Sequence, residues 1–375
     1  MLIKVSSMAL SSRLAAASKV LAAKNSLPIL ECFLFDVADG HITVTASDAE
    51  KSFITTLPTI EQIGGGRFCV SARKMMDTVR ELPEQPLTLD INEENYEIKG
   101  SHATGSFSIM GQSADPYPTP RPVGDGEGSR VVLPARTIIN GLNRTLFATA
   151  NDEIRQVMNG VYFDMHGDHM VFAATDGRKL VKDIVLDANP GTEGSFIMPK
   201  KVATILKGTL AMNDTEVKIR YMSDRATIIT PDMTMHFTLI EGTYPNYNAV
   251  IPQNNPFMAT IDRQSLASAL KRVLVFCNQA SGLVKVELND GTIRLTGQDH
   301  AYNTSGEEIL PCDYSGNHIA IGFSCQFMLE ICNILESDGV IIELADPARP
   351  GVIKPDVQPD NEELLMLLMP MRVDD

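Results

Sequence analysis

The 375-residue sequence predicts an α+β protein made of three tandem repeats of one domain, each with two helices and several antiparallel strands. Three observations carry this. A helix-like segment recurs three times, each copy runs on into a strand, a tight turn and a second strand, and Pro- and Gly-rich connectors separate the copies. Length agrees, since a chain of this size exceeds one ordinary core.

The first helix of each copy is expected at 6–24, 133–148 and 261–276. The hairpins follow. Residues 33–37 pass through Asp39-Gly40 into 41–45, residues 161–165 through Gly167-Asp168 into 169–173, and residues 284–288 through Asp290-Gly291 into 292–296. Period-two alternation around Asp-Gly or Gly-Asp is a hairpin signal. An aspartate closes each hairpin, at Asp48, Asp176 and Asp299, and reads as a turn residue ending the strand. A second, shorter helix is expected at 71–82, 199–210 and 324–335. The connectors DPYPTPRPVGDGEGS (115–129) and TYPNYNAVIPQNNP (243–256) set domains of 1–128, 129–255 and 256–375, the last with a C-terminal tail. The Pro-rich stretch 346–363 is expected to form a mobile loop in the third domain.

Composition narrows the class. With 44% apolar and 21% charged residues the chain is folded rather than disordered. Its first residues, MLIKVSSMALSSRLAAASKVL, are interrupted by charge and lack the apolar centre of a signal peptide, and no window approaches a membrane span. The six cysteines form no CxxC pair and no His-spaced set, so neither a zinc site nor a disulfide framework is indicated. These features predict a reduced, cytoplasmic protein with no membrane association, metal or cofactor.

A net charge of −15 argues against nucleic acid only if the charge is evenly spread. It is not. The segments 8–24, 72–82, 134–148, 199–211, 262–276 and 324–336 hold 14 Lys and Arg against 5 Asp and Glu, while the remainder holds 18 against 42. At 100° per residue, Leu10, Leu14, Ala17 and Leu21, then Ile138 and Leu142, then Leu266, Leu270 and Val273 line one side of the first helices. Lys19, Arg136, Arg144, Lys271 and Arg272 fall opposite. In the second helices Arg73 and Arg80 oppose Met75, Val79 and Leu82, and Lys200 and Lys207 take the matching places; the third copy has Gln326 and Asn333 there. Any amphipathic helix has a charged outer face, but a one-signed excess on five of six helices points to a polyanion. No aromatic platform or base-reading motif accompanies it, so contact to phosphates without sequence preference is expected.

Seven short motifs, in order, then carry a resemblance: LPIL (27–30), SARK (71–74), IRQVMNG (154–160), ATDGRKL (174–180), YPNYNAVIP (244–252), IGFS (321–324) and MPMR (369–372). Together they make the chain similar, over essentially its whole length, to the bacterial DNA polymerase III beta subunit family, the sliding clamps. The resemblance implies a non-catalytic processivity factor: three clamp domains in a half-ring, closed head to tail with a second copy, that encircles double-stranded DNA and tethers the polymerase. It also implies basic DNA contacts at Lys24 and Arg73. A pocket for short motifs of the replicative polymerase, the clamp loader and other partners would be formed by Met158, Thr175, Gly177, Arg178, Leu180, Pro245, Val250, Ser324, Phe327, Met369, Pro370, Met371 and Arg372. Two places depart from the family pattern. Gln156 and Val157 stand where the best-known members have aromatic residues, and Ala249 where some have Arg. The chain also extends past the usual end by Val373-Asp374-Asp375.

Two rival classes remain to be weighed. A metal-dependent hydrolase could use the recurring aspartates, or His166 and His169, but the two histidines flank a hairpin tip where exposed polar residues are ordinary. GGGR (64–67) lacks the Lys-Ser/Thr of a phosphate loop and reads as a turn. The other rival is an acidic scaffold ring that never meets DNA. Around Asp176, the flanking Thr175 and Gly177-Arg178-Lys179-Leu180 are read as peculiar to the middle copy, since the others have SDAEKS and QDHAYN.

Overall fold

A computed structural model describes residues 1–22, 24 and 27–373. The expected helix 6–24 and the extension 373–375 therefore lie partly outside the described residues. Among these residues are six α-helices: α1 (Ser7–Ser18), α2 (Ala72–Arg80), α3 (Ala135–Thr145), α4 (Lys200–Lys207), α5 (Arg263–Leu274) and α6 (Cys325–Ile334). Among the described residues all strand pairs are antiparallel, in sheets of thirteen, eight and four strands, which is the α+β architecture the repeats predict. The chain divides into two compact units, Met1–Pro134 with Asp214–Leu239, and Ala135–Asn213 with Ile240–Asp375.

Local chemistry starts the helices where expected. Ser6, Ser71, Asp262 and Ser324 are N-caps whose side-chain oxygens accept from the N–H three residues on, at Ala9, Lys74, Ser265 and Phe327. The first helix is shorter than its sequence pattern. It ends at Ser18, and the N–H groups of Lys19, Val20 and Leu21 reach back only three residues, tightening the end into 3₁₀ form. LPIL becomes a 3₁₀ turn, Pro28–Glu31, with Pro28 at its first position and Ile29 and Leu30 buried.

In the first unit the hairpin Cys32–Ala38 to His41–Ser47 turns through Asp39 (φ 51°) and Gly40 (φ 75°). Two left-handed residues make the turn that suits the strand twist. α1 and α2 pack against each other and lie on this sheet through Leu10, Leu14, Met75 and Val79. Beneath them Phe35 and Phe68 stack at 5.1 Å.

In the second unit the eight-stranded sheet runs Gly194–Pro199, Gly160–His166, His169–Thr175, Lys179–Val185, Glu362–Leu368, Gly351–Pro355, Gly339–Leu344, Phe257–Asp262. The expected mobile loop at 346–363 is corrected here, because its middle is the strand Gly351–Pro355, hydrogen-bonded on both sides. Its prolines did not exclude a strand, since Pro350 precedes it and Pro355 ends it. The connector 243–256 is likewise no bare linker: Tyr244 and Tyr247 are buried, and Tyr247–Val250 forms a 3₁₀ turn.

Arg144 requires a second correction. Expected on the polar side of its helix, it is 6% exposed. α3 packs on the strand Lys179–Val185, and Arg144 Nη1 lies 3.2 Å from the fully buried Asp183 and also pairs with Glu362. A wheel count sees one helix; the partner that decides this residue's direction comes from a distant strand. Burial outweighs the nearby guanidinium at Asp183 and pushes its carboxyl up to about 6.

Two outcomes follow. Arg144→Met leaves the buried Asp183 and the half-buried Glu362 unopposed and should cost about 3–5 kcal/mol in urea unfolding. Asp183 holds its proton more tightly when folded than in the unfolded chain, so its support is complete below about pH 4 and is lost as pH rises through about 6. Wild type should therefore lose stability relative to Asp183→Asn, by on the order of 1–3 kcal/mol, between pH 4 and 7, as read from unfolding curves across that range.

Candidate functional site

Strand register assembles the first candidate surface. Lys179–Val185 pairs with Glu362–Leu368 so that Leu180 faces Leu367, and both are buried. They join Val171, Ala173, Ile197, Tyr244 and Tyr247 in one apolar cluster, with Val157 and Ile251 at its edge. Tyr244 stacks on Tyr162 at 4.5 Å, nearly parallel, and its hydroxyl accepts from the Thr175 N–H at 3.0 Å. The Tyr247 hydroxyl donates to Asp164 at 2.7 Å. Burial raises both phenols, so both remain protonated at neutral pH. Beside this wall Val250 is 52% and Met369 41% exposed, while Met158, Pro245, Pro370 and Met371 are half-buried. Met is a compliant filler, and an open apolar surface of this kind fits a short apolar segment.

The tail is held by its backbone. Met369 N–H donates to the Arg178 carbonyl and Met371 N–H to the Gly322 carbonyl, each at 2.8 Å. The MPMR tail thus ties the ATDGRKL turn to the IGFS strand, next to Ser324. Gly322 is required at this crossing, because a Cβ there would stand 2.6 Å from the Met371 carbonyl oxygen. Gly177 holds the turn at φ 86°, with Arg178 exposed beyond it. Arg372 is exposed, and the further residues Asp374 and Asp375 lie outside the described residues.

Asp176 closes the turn. Its carboxylate accepts from the N–H groups of Arg178 and Lys179 at 2.8 and 2.9 Å. Asp48 accepts from Lys51 N–H, and Asp299 from Ala301 and Tyr302 N–H, so the three repeated aspartates share one turn-closing role. Lys179 is not peculiar to the middle copy. Like Lys51 it is buried three residues after its aspartate and ion-paired with it. Lys179 Nζ also lies 3.7 Å from the centre of the Phe327 ring and 3.3 Å from Glu330, which fixes Phe327 of α6 against the turn. Leu367, Tyr244, Tyr247 and Tyr162 are among the members of this surface missing from the sequence-based set. Alternation through ELLMLLMPMR marks Leu367 as a strand position, but nothing local assigns its partner.

The basic residues form the second surface, described within each unit. In the first, Lys24, Arg73 and Arg80 are exposed; Arg73 and Arg80 lie 3.8 and 3.9 Å from Asp77, and Arg80 also reaches Glu81. In the second, Arg136, Lys207, Lys271 and Arg272 are exposed and Lys200 is half-buried. Arg272 is bound bidentately by Glu308, at 2.7 Å for each contact. Arg144, as above, is withdrawn from this set. The apolar sides are as expected along Leu10, Leu14 and Ala17, but Leu21 and Leu82 fall beyond their helix ends and are half-buried.

His166 and His169 stack ring on ring at 4.5 Å and pair with Asp164 and Asp168. Among the described residues no group of three or more His, Cys, Asp or Glu side chains is placed to hold a metal ion, and no helix is long and apolar enough to cross a membrane. All six cysteines are free thiols.

Three family models match in sequence order: the DNA polymerase III beta subunit N-terminal domain over residues 1–120, its central domain over 132–246 and its C-terminal domain over 248–372. The chain is 29% identical over 345 residues to the beta sliding clamp of Synechococcus elongatus, covering 90% of this chain and 88% of that one. It is 26% identical over 353 residues to the beta sliding clamp of Pseudomonas aeruginosa, covering 93% and 94%. The solved sliding clamp of Bartonella birtlesii, bound to griselimycin, aligns over 100% of both chains with a TM-score of 0.91 and 26% identity. With three domain models spanning nearly all of it, the chain belongs to the DNA polymerase III beta subunit family, the sliding clamps, which are non-catalytic processivity factors.

Proposed function

We propose that two copies of this chain close head to tail into a ring around double-stranded DNA in the cytoplasm. The ring would tether the replicative polymerase, the clamp loader and other motif-bearing proteins. The observation that carries this reading is the concentration of 14 basic against 5 acidic residues in the six helical segments of a chain with net charge −15. An acidic remainder repels a polyanion everywhere else. Three domains, 1–128, 129–255 and 256–375, would each bring one pair of helices to the DNA. Lys24, Arg73, Arg80, Arg136, Lys200, Lys207, Lys271 and Arg272 would meet phosphates without reading sequence. Such contacts are weak, about 10⁻⁴ to 10⁻⁶ M at physiological salt, so retention comes from encirclement and sliding is permitted.

The surface around Leu180, Leu367, Val250 and Met369 would take the apolar anchors of a short partner segment, with Thr175, Gly177, Arg178, Met158 and Pro245 on one side. Ser324, Phe327, Pro370, Met371 and Arg372 would complete it on the other. Its backbone-held tail supports this reading, since Met369 and Met371 side chains stay available while their N–H groups are occupied. The repeated aspartates are occupied in turns, which leaves a hydrolase without its candidate carboxylates.

Three measurements test it. The pure protein should elute as a dimer of 40.9 kDa chains and, once a clamp loader has placed it on nicked circular DNA, leave when that DNA is linearised; retention on linear DNA would contradict encirclement. Reversing Lys200 and Lys207 to Glu should lower the salt slope of DNA binding by about 2, whereas a scaffold that never meets DNA predicts no change. Removing residues 369–375 should abolish capture of polymerase and loader subunits from extract while leaving dimer elution unchanged.

A further inference from the structure

The face of the eight-stranded sheet that bears Leu180 and Leu367 continues beyond them. Residues two apart along a strand share a face, so Lys182 and Leu365, a cross-strand pair, stand in the next row. The Ile353–Met366 pair brings Lys354 up beside Leu365 from the other side. Between this row and the connector is a cavity of about 430 Å³, lined by Lys182, Ile184, Ile251, Lys354, Glu363 and Leu365 among others. Its wall is the same 3₁₀ turn that carries Val250: Lys182 Nζ donates to Asn248 Oδ1 at 2.9 Å and lies 5.7 Å from the centre of the Tyr247 ring.

The charges in this cavity are not balanced alike. Lys354 is held by Glu343 at 2.9 Å. Lys182 has an amide and a ring beside it but, among the described residues, no carboxylate within ion-pair distance. Glu363 faces Ile184 one row further along and repels an acid from that end. A carboxylate entering from the Leu180–Leu367 row would therefore meet Lys182 first, over an apolar floor of Leu365 and Ile251. The volume suits one or two side chains and is at the lower end for a small-molecule pocket.

We propose that this cavity is an accessory subsite that takes an acidic residue flanking the apolar anchor of a docked partner peptide, with Lys182 pairing its carboxylate. The proposal rests on the reading of the neighbouring surface as the peptide-docking site. Lys182 would then determine which partner segments bind best, and in a chain of net charge −15 it would offset the repulsion an acidic flank otherwise meets.

The test is selection of displayed random 12-residue peptides on the full-length dimer, with counter-selection on protein lacking residues 369–375 to retain only binders of the docking surface. Wild type should enrich Asp or Glu at a fixed place beside an apolar anchor. Lys182→Glu should keep the anchor and exchange that preference for Lys or Arg. For synthesised peptides, Lys182→Glu should weaken an acid-flanked one about tenfold, roughly 1.4 kcal/mol, and change its Ala-flanked version less than twofold. Anchored peptides with no acidic preference, an unchanged preference in the variant, or equal losses for both peptides would each overturn the subsite and leave the docking surface standing. If no peptide distinguishes the full-length from the tail-deleted protein, the docking reading fails and the subsite fails with it.

Discussion

The ladder between Lys179–Val185 and Glu362–Leu368 is the constraint on which the second unit depends. It joins segments far apart in sequence, and its register assigns every side chain of both strands to a face. Val181 and Met366 turn into the main core, and Asp183 and Glu362 turn toward α3, where Arg144 meets them. Leu180, Lys182, Leu365 and Leu367 turn the other way. A slip of one residue would bury the lysine, expose the aspartate and dissolve the apolar cluster around Tyr244. The buried ion network and the open surface are thus two readings of one register.

The three hairpins show how a repeat can be kept and diversified together. Each ends on an aspartate that closes a turn through backbone N–H groups, and two of the three add a buried lysine three residues on. What sets the middle copy apart is therefore less its basic pair than the company it keeps. Its turn carbonyl at Arg178 receives the tail, and its lysine lies against Phe327 of α6. The local fold supplies a rigid corner; the chain's final residues make it a surface.

Much of this was legible in the sequence because it depends on local chemistry. The helix ranges, the Asp39-Gly40 turn and the alternation of the hairpins all follow from residues within a few positions of one another. The residues of the apolar surface are legible only as motifs, through resemblance, since no local rule pairs Leu180 with Leu367. The errors share a cause. A helical wheel places Arg144 without Asp183, and the prolines around Gly351–Pro355 suggest a loop because the strand's neighbours in the sheet lie outside the window that prolines punctuate. Long-range partners decide such cases, and a single sequence does not name them.

The stacked pair of Tyr162 and Tyr244 has one more implication. The chain has no tryptophan and only eight tyrosines, and two of them lie face to face at 4.5 Å in the wall beside Leu180. Ultraviolet absorption and emission from this protein are therefore free of the indole signal that usually masks phenols. Were a guest to enter beside the pair, as the docking proposal has it, two of the eight tyrosines would change surroundings, so the wall would double as an optical reporter of its own occupancy.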